Sequence, residues 1–375
     1  MKILALLPTY RPAEYPENVG GGEISNRILL EGLASAGHLV TVLAFSGGGE
    51  RDTISNDVRV IEPRGMTSRA GVDWFVKRVL YRSYGQRLIK QYAPDVIVAT
   101  TDTVAISAAL GNRYRLPTAI FVRAFENLEI AYRNGIASLV SPKAFVKRAI
   151  LGNRGPETLK KADLLVVNSE YMKNVCQKRV EGVATEVIYP PLDVYVTARS
   201  VSDSIRVASM VGTDQKKGTA LVSSIAARVP ELEFRIVGCP ELAPGDNVKF
   251  RNLVRLGWCD TEAEFRQRAD IVLVPSLWEE PFGRVAIEAL AAGKIPFVAA
   301  VGGLPEAVAH ERDLIIPAND EPAWIARLVD AIHNPEKYRA AASSARACIG
   351  KFGVKSQVKN LECVLDGLRI GDASL

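Results

Sequence analysis

Three histidines and five cysteines in 375 residues are few, and no D-x-D pair occurs anywhere in the chain. The cysteines (Cys176, Cys239, Cys259, Cys348 and Cys363) are scattered, odd in number and never spaced C-x-x-C, so neither a disulfide framework nor a zinc site is supported. Without a D-x-D pair, the chain lacks one common arrangement of carboxylates for Mg²⁺, and no metal is expected. No apolar run approaches the ~20 residues that a membrane-spanning helix needs. The opening MKILALLPTY reads as a strand cut short by Pro8, Tyr10 and Arg11, not as a signal peptide. A cytoplasmic protein is therefore expected. Low-complexity segments, short repeats, nucleic-acid recognition modules and aromatic-basic interleaving are missing too, so a nucleic-acid partner is not expected.

What is there describes an ordinary globular chain, 48% hydrophobic and 24% charged. Its length exceeds the roughly 250–300 residues at which single cores stop growing, so two domains are predicted. Apolar runs fall at 3–7, 40–45, 58–61, 95–99, 118–122, 164–168 and 186–189, with helical patterns between most of them. After Pro190-Pro191 a second series follows at 205–211, 233–237, 248–251, 271–274, 295–299 and 314–316. Alternation of this kind predicts an α/β fold with two doubly wound parallel sheets, residues 1–190 and 191–353, facing across a cleft.

The stretch Leu273 to Glu306, LVPSLWEEPFGRVAIEALAAGKIPFVAAVGGLPE, carries the densest signal. A buried strand runs out at Pro275, and Pro281 keeps Glu280 out of the helical region, so Glu280 sits on a loop at a strand's carboxyl end. The spacing of Val285, Ile287, Ala289 and Leu290 starts a helix after Gly283, with Glu288 about one turn inside. Between the two acids, the Phe282-Gly283-Arg284 backbone offers amides at a helix N-terminus, which favours a phosphate. Two unrelated glutamates would read as a loop charge and a solvated helix residue. The whole string, however, resembles the E-x7-E signature of glycosyltransferase family 4, whose members have the GT-B fold.

That resemblance extends over nearly the whole chain. Gly20-Gly21-Gly22-Glu23, leading into a helix over 24–36, is similar to the family's G-G-x-E loop, which places Gly21, with Gly22 beside it, against the donor phosphate. Taken alone, the glycines read equally well as a plain turn. Lys217 in MVGTDQKKG matches the family's diphosphate lysine, where a point cation suits a departing nucleoside diphosphate; a surface lysine is the plain alternative. The stretches FRIVG, VNSEYM, VIYPPLD and GGLPE add support. The resemblance also implies that a last helix, about 354–370, crosses back to the first domain. That first domain would bind the acceptor and the second the donor.

Two departures from the family pattern bear on the chemistry. Thr213 stands where many members carry an arginine, so Lys216, Arg284 or a helix dipole must supply that charge. Where members often place a histidine after the strand TAIFV, this chain offers Arg123, Glu126 and Asn127. Arg123 or Glu126 would hold sugar hydroxyls, or the two would pair with each other. His38 reads as a structural connector. Glu280, Lys217 and Arg123 are thus the candidate catalytic residues, and Gly21, Gly22, Lys216, Phe282, Gly283, Arg284 and Glu288 the candidate donor-binding ones.

Charge is unevenly divided: residues 1–190 hold 25 Lys+Arg against 18 Asp+Glu, a net of +7, so the remainder of the +5 chain carries −2. Seven cations between Arg64 and Lys90 face one acid, Asp73, among Trp74, Phe75, Val79, Leu80 and Tyr84. Such a segment either lies on the inner face of an anionic membrane, grips an acidic acceptor, or packs one apolar face on its own domain. The resemblance implies a retaining, metal-independent transfer from a nucleoside-diphosphate sugar to a hydroxyl of a glycan, lipid-linked or small-molecule acceptor. A non-catalytic nucleotide-sugar-binding subunit, or an epimerase or phosphorylase of the same fold, remains the alternative at this level.

Overall fold

The computed structural model describes residues 1–10, 20–45, 51–63, 72–128, 131–133, 136–138, 146, 149–192, 204–259 and 261–371. Over these, the chain forms two compact units. One comprises Met1–Ala131, Ser138–Pro191 and Val354–Leu375, the other Tyr132–Ala137 and Leu192–Gly353.

The first unit is built on strands β1 (Lys2–Leu6), β2 (Leu39–Leu43), β3 (Arg51–Ser55), β4 (Val58–Glu62), β5 (Val96–Thr100) and β6 (Thr118–Val122). A short two-stranded ribbon, β7 (Ala131–Arg133) and β8 (Ile136–Ser138), precedes β9 (Leu164–Val167) and β10 (Ala184–Val187). The eight-stranded sheet has the order β10-β9-β6-β5-β1-β2-β4-β3 and is parallel except for β3. Side chains alternate across a strand, so both faces must be covered where the strands are apolar throughout. Ile3 and Ala5 pack with Leu29, Leu30 and Leu33 of α1 (Gly21–Ser35) and with Val358, Leu361 and Leu365 of the last helix, Val354–Gly371. Leu4 and Leu6 face the other way, onto Tyr81 and Leu88 of α2 (Val72–Tyr92) and Ile106 and Leu110 of α3 (Val104–Tyr114). His38 is structural, as expected: its Nε2 meets Glu362 Oε1 on the last helix at 2.9 Å.

The second unit holds β11 (Val207–Val211), β12 (Glu233–Val237), β13 (Asn247–Phe250), β14 (Leu253–Leu256), β15 (Ile271–Val274), β16 (Ile295–Ala299) and β17 (Ile315–Ile316). Their order is β13-β14-β12-β11-β15-β16-β17, parallel apart from β13. The buried Glu264 takes the guanidinium of Arg235 through both oxygens, at 2.5 and 3.1 Å, and accepts from the Ser209 hydroxyl at 2.9 Å. Charge is thereby matched within this core.

Among the strands of the two large sheets, two lie outside the expected runs. The run at 248–251 is the first half of a hairpin, β13 and β14, that turns at Arg251, where φ is 54°. An edge position explains the other omission, since four of the five residues of β3 are exposed and need not be apolar. Also, α1 starts three residues earlier than predicted, at Gly21, because Gly20 is extended (φ −69°, ψ 148°) and acts as its N-cap.

Leu361 is fully buried against α1 and β1. Leu361→Ala is expected to lower the unfolding free energy by about 2–5 kcal/mol, the usual cost of such a cavity, read by urea denaturation. A loss under about 0.5 kcal/mol would contradict this packing of the last helix.

Candidate active site

In both sheets the strand order reverses beside the first strand of the unit, between β1 and β5 and between β11 and β15. Connections on the two sides of such a point leave in opposite directions, which opens a ligand crevice at the strands' carboxyl ends. In the second unit the two loops flanking this point are Gly212–Gly218, after β11, and Pro275–Gly283, after β15. Lys217 stands on the first and Glu280 on the second.

These loops are stitched together closely. Asp214 caps the short turn Gln215–Lys217 through its side chain, which accepts from Lys216 N at 3.1 Å. Leu277 N donates to Lys216 O at 2.8 Å. Gly218 is left-handed (φ 85°), and a Cβ there would lie 2.2 Å from the Pro275 carbonyl oxygen, so no other residue fits. As a result Lys217 Nζ reaches Glu280 Oε1 at 2.5 Å.

Glu280 is 7% exposed, and its Oε1 also accepts from Ser276 Oγ at 2.7 Å and Trp278 Nε1 at 3.1 Å. Its other oxygen, Oε2, meets no protein donor among the described residues. A carboxylate held through one oxygen keeps the second for a ligand hydroxyl. The Trp278 ring underlies both neighbouring cations, with Lys216 Nζ at 4.7 Å and Lys217 Nζ at 5.9 Å from its centroid. Backbone contact fixes Glu280 from the other side, where Gly303 N donates to Glu280 O at 2.7 Å.

Four residues after Glu280, the helix Arg284–Ala291 begins, with Gly283 as its N-cap. Arg284 Nε pairs with Glu288 Oε1 at 2.6 Å, one turn apart. By helix geometry the first amides of this turn have no intrahelical acceptor, and they favour an anion there. The side chain of Phe282 is buried edge-on against Phe352, with centroids 5.3 Å apart, so it serves the core. Thr213 does not replace a cation; its hydroxyl lies 3.4 Å from Gly238 O. Lys216 is 3.4 Å from Asp214 and more exposed than Lys217.

Gly21, Gly22 and Arg123 form a separate group in the first unit. Gly21 and Gly22 occupy the first turn of α1, and Glu23 takes the Gly20 amide at 3.3 Å. A Cβ on Gly22 would lie 3.2 Å from Arg123 Cβ, so glycine here lets the arginine approach the helix. Arg123 Nε donates to Asn26 Oδ1 at 3.0 Å and Nη1 to Ile188 O at 2.8 Å. Its guanidinium lies 4.9 Å from the Phe121 centroid, and burial pulls its pKa down to about 9, which leaves it charged at neutral pH. The expected alternative pairing of Arg123 with Glu126 is not formed: Glu126 is exposed. Asn127 instead donates to Thr101 O at 3.2 Å and accepts from Asn153 Nδ2 at 2.5 Å.

Sequence reasoning missed Ser276, Trp278 and Asn26. The first two lie four and two residues before Glu280, and only their nearness to it could have drawn attention. Asn26 carries no signal beyond its place in the first turns of α1.

Two doubly wound α/β domains of this kind match solved glycosyltransferase structures of the GT-B type. A family model described as "Glycosyl transferases group 1" matches residues 207–347, and one described as "Glycosyltransferase Family 4" matches residues 19–195. Between them the two models cover most of the chain, which is a glycosyltransferase. It is 26% identical over 339 residues to an uncharacterised 42.6 kDa protein of the cps region of Klebsiella pneumoniae, covering 78% of this chain and 84% of that one. Its fold matches sucrose-phosphate synthase from Thermosynechococcus elongatus with a TM-score of 0.76 at 19% identity, over 99% of this chain and 100% of that one. Anabaena HepE in complex with UDP-glucose matches with a TM-score of 0.70 at 20% identity, over 98% and 100%.

Gly218→Ala tests the stitching of the two loops. Left-handed strain and the clash with Pro275 together should destabilise the second unit by about 2 kcal/mol or more, measured by chemical denaturation. Unchanged stability would mean that the loops are not held this closely.

Proposed function

We propose that the chain transfers a sugar from a nucleoside-diphosphate sugar to an acceptor hydroxyl, with retention and without a metal ion. The observation that carries this is the Lys217–Glu280 pair on the two switch-point loops. Lys217 Nζ is partly exposed and has only one carboxylate partner among the described residues, so a diphosphate oxygen competes for it directly. The amides beginning the helix Arg284–Ala291 supply further positive potential, which removes the need for a cation bridging the phosphates. Glu288, held by Arg284, accepts the ribose hydroxyls, and Glu280 Oε2 accepts from a hydroxyl of the transferred sugar. HepE with bound UDP-glucose supports a donor of this kind. Lys216, Arg284 and the helix dipole share the charge that Thr213 does not provide.

The bond between the anomeric carbon and the phosphate oxygen breaks as the acceptor oxygen bonds to that carbon on the same face. The acceptor's proton passes to the departing phosphate oxygen. No side-chain base is required, in keeping with the absence of histidine from both groups of site residues. Negative charge builds on the diphosphate as the bond breaks, so Lys217 contributes more in the transition state than in the ground state.

Peripheral contact with an anionic membrane is a second element of the proposal. Residues 64–71 of the expected basic segment lie outside the described residues. On α2, however, Phe75 is 62% and Val79 49% exposed, one turn apart, beside the exposed Arg78 and Arg82. Apolar side chains within a cationic face suit the headgroup boundary of an anionic bilayer. Phe75→Ser/Val79→Ser should weaken cosedimentation with phosphatidylglycerol-containing vesicles about tenfold, with donor turnover in solution unchanged. Equal sedimentation of wild type and variant would remove the membrane from the proposal.

The main proposal is tested by turnover with saturating UDP-glucose as the first donor probe. Lys217→Ala is expected to lose about 10² to 10³ in rate, the usual cost of one such stabilising donor, while Lys216→Ala loses little. A larger defect in Lys216→Ala would show that the neighbouring lysine holds the phosphates. Normal turnover in both variants would overturn the proposed site.

A further inference from the structure

We infer that Arg123 is the seat of an anionic group on the acceptor, a carboxylate or a phosphate, bound through its Nη2. The word acceptor rests on the function proposed above; the anion seat itself does not. Arg123 is 8% exposed, and its Nη2 is buried without a hydrogen-bond partner. The two groups that do hold it, Asn26 Oδ1 and Ile188 O, are both neutral. No ion pair to Arg123 is formed among the described residues, and burial alone accounts for its lowered pKa. Arg235 in the second unit shows the contrast: it is equally charged and has Glu264 on both forks.

A buried charge with only neutral partners is costly, and an apolar side chain of similar size would pack at less expense. A sugar hydroxyl would satisfy Nη2 but leave the charge unmatched, whereas an anion answers both. The guanidinium is also held ready for one. Nε and Nη1 are tied down, Phe121 lies against the guanidinium, and Asn168 Nδ2 holds the Arg123 carbonyl at 3.0 Å, so the direction of Nη2 is fixed. Asn168 Oδ1 is likewise buried without a partner, and it accepts a proton borne by the ligand, such as a sugar hydroxyl next to the anion. The carboxylate of Glu23, the residue after Gly22, takes Thr9 Oγ1 at 2.5 Å and the Gly20 amide at 3.3 Å. A rigid planar fork with one free N–H edge suits a carboxylate or phosphate oxygen better than a lysine would.

The test uses sulfate as the probe, titrated against chloride at equal ionic strength and followed by thermal shift, with and without saturating UDP. Asn26→Asp supplies a carboxylate where Nε already finds an oxygen, which cancels the charge while keeping Arg123 in place. The wild type should bind sulfate with UDP present. Asn26→Asp and Arg123→Gln should weaken sulfate by roughly tenfold or more, the factor for one hydrogen bond to a charged group, and Arg123→Lys should recover part of it. Should Arg123→Gln fail to fold, Asn26→Asp still decides, because it is expected to melt at or above the wild-type temperature. Equal sulfate binding by wild type and Asn26→Asp, or none by wild type, overturns the anion seat. Sulfate binding that disappears under UDP assigns Arg123 to the donor phosphates and overturns the acceptor assignment. A protein that does not respond to UDP at all counts against the proposed donor, and the sulfate comparison then judges the anion seat alone.

Discussion

A single close contact, Lys217 Nζ on Glu280 Oε1, depends on nearly everything else in the second domain. It requires β11 and β15 to be neighbours, because only then do their carboxyl ends release two loops side by side. It also requires Gly218, whose missing Cβ lets the first loop lie on the Pro275 carbonyl. Ser276 and Trp278 complete the arrangement by crowding their donors onto the same carboxylate oxygen. Three donors on one oxygen fix the carboxylate's orientation, leaving Oε2 for other work. The lysine, by contrast, is held by one carboxylate and lies over an aromatic face, and it stays partly exposed.

The two domains handle buried charge differently. In the second, Arg235 and Glu264 neutralise each other beneath the sheet, and Arg284 and Glu288 pair across one helical turn. In the first, Arg123 is held by neutral groups alone among the described residues. Protein cores rarely tolerate an unmatched charge without a purpose. Gly22 extends the point: its lack of a side chain is used by Arg123, so part of the glycine-rich loop serves the arginine's position.

Much of this was legible in the sequence, and the failures have physical causes. Buried parallel strands must be apolar on both faces, so β1, β5, β6, β9 and β15 stand out as continuous runs. The edge strand β3 is exposed and polar, and nothing in its composition distinguishes it from a loop. The hairpin of β13 and β14 turns at Arg251, a residue with no turn signature of the glycine kind. Within the site, Pro275, Pro281 and Gly283 mark the loop and the helix start, which is why Glu280 and Glu288 were placed well. Ser276 and Trp278 matter only because the loop folds back on itself, and Asn26 only because β6 delivers Arg123 to α1. Contacts of that kind arise from the tertiary structure and leave no local pattern.

The most direct test of the central claim is a crystal structure of the protein with UDP-glucose bound. The account predicts a diphosphate oxygen within hydrogen-bond distance of Lys217 Nζ, the ribose hydroxyls on Glu288, and a glucose hydroxyl on Glu280 Oε2. A nucleotide bound away from the loops after β11 and β15, or one whose phosphates avoid Lys217, would contradict it.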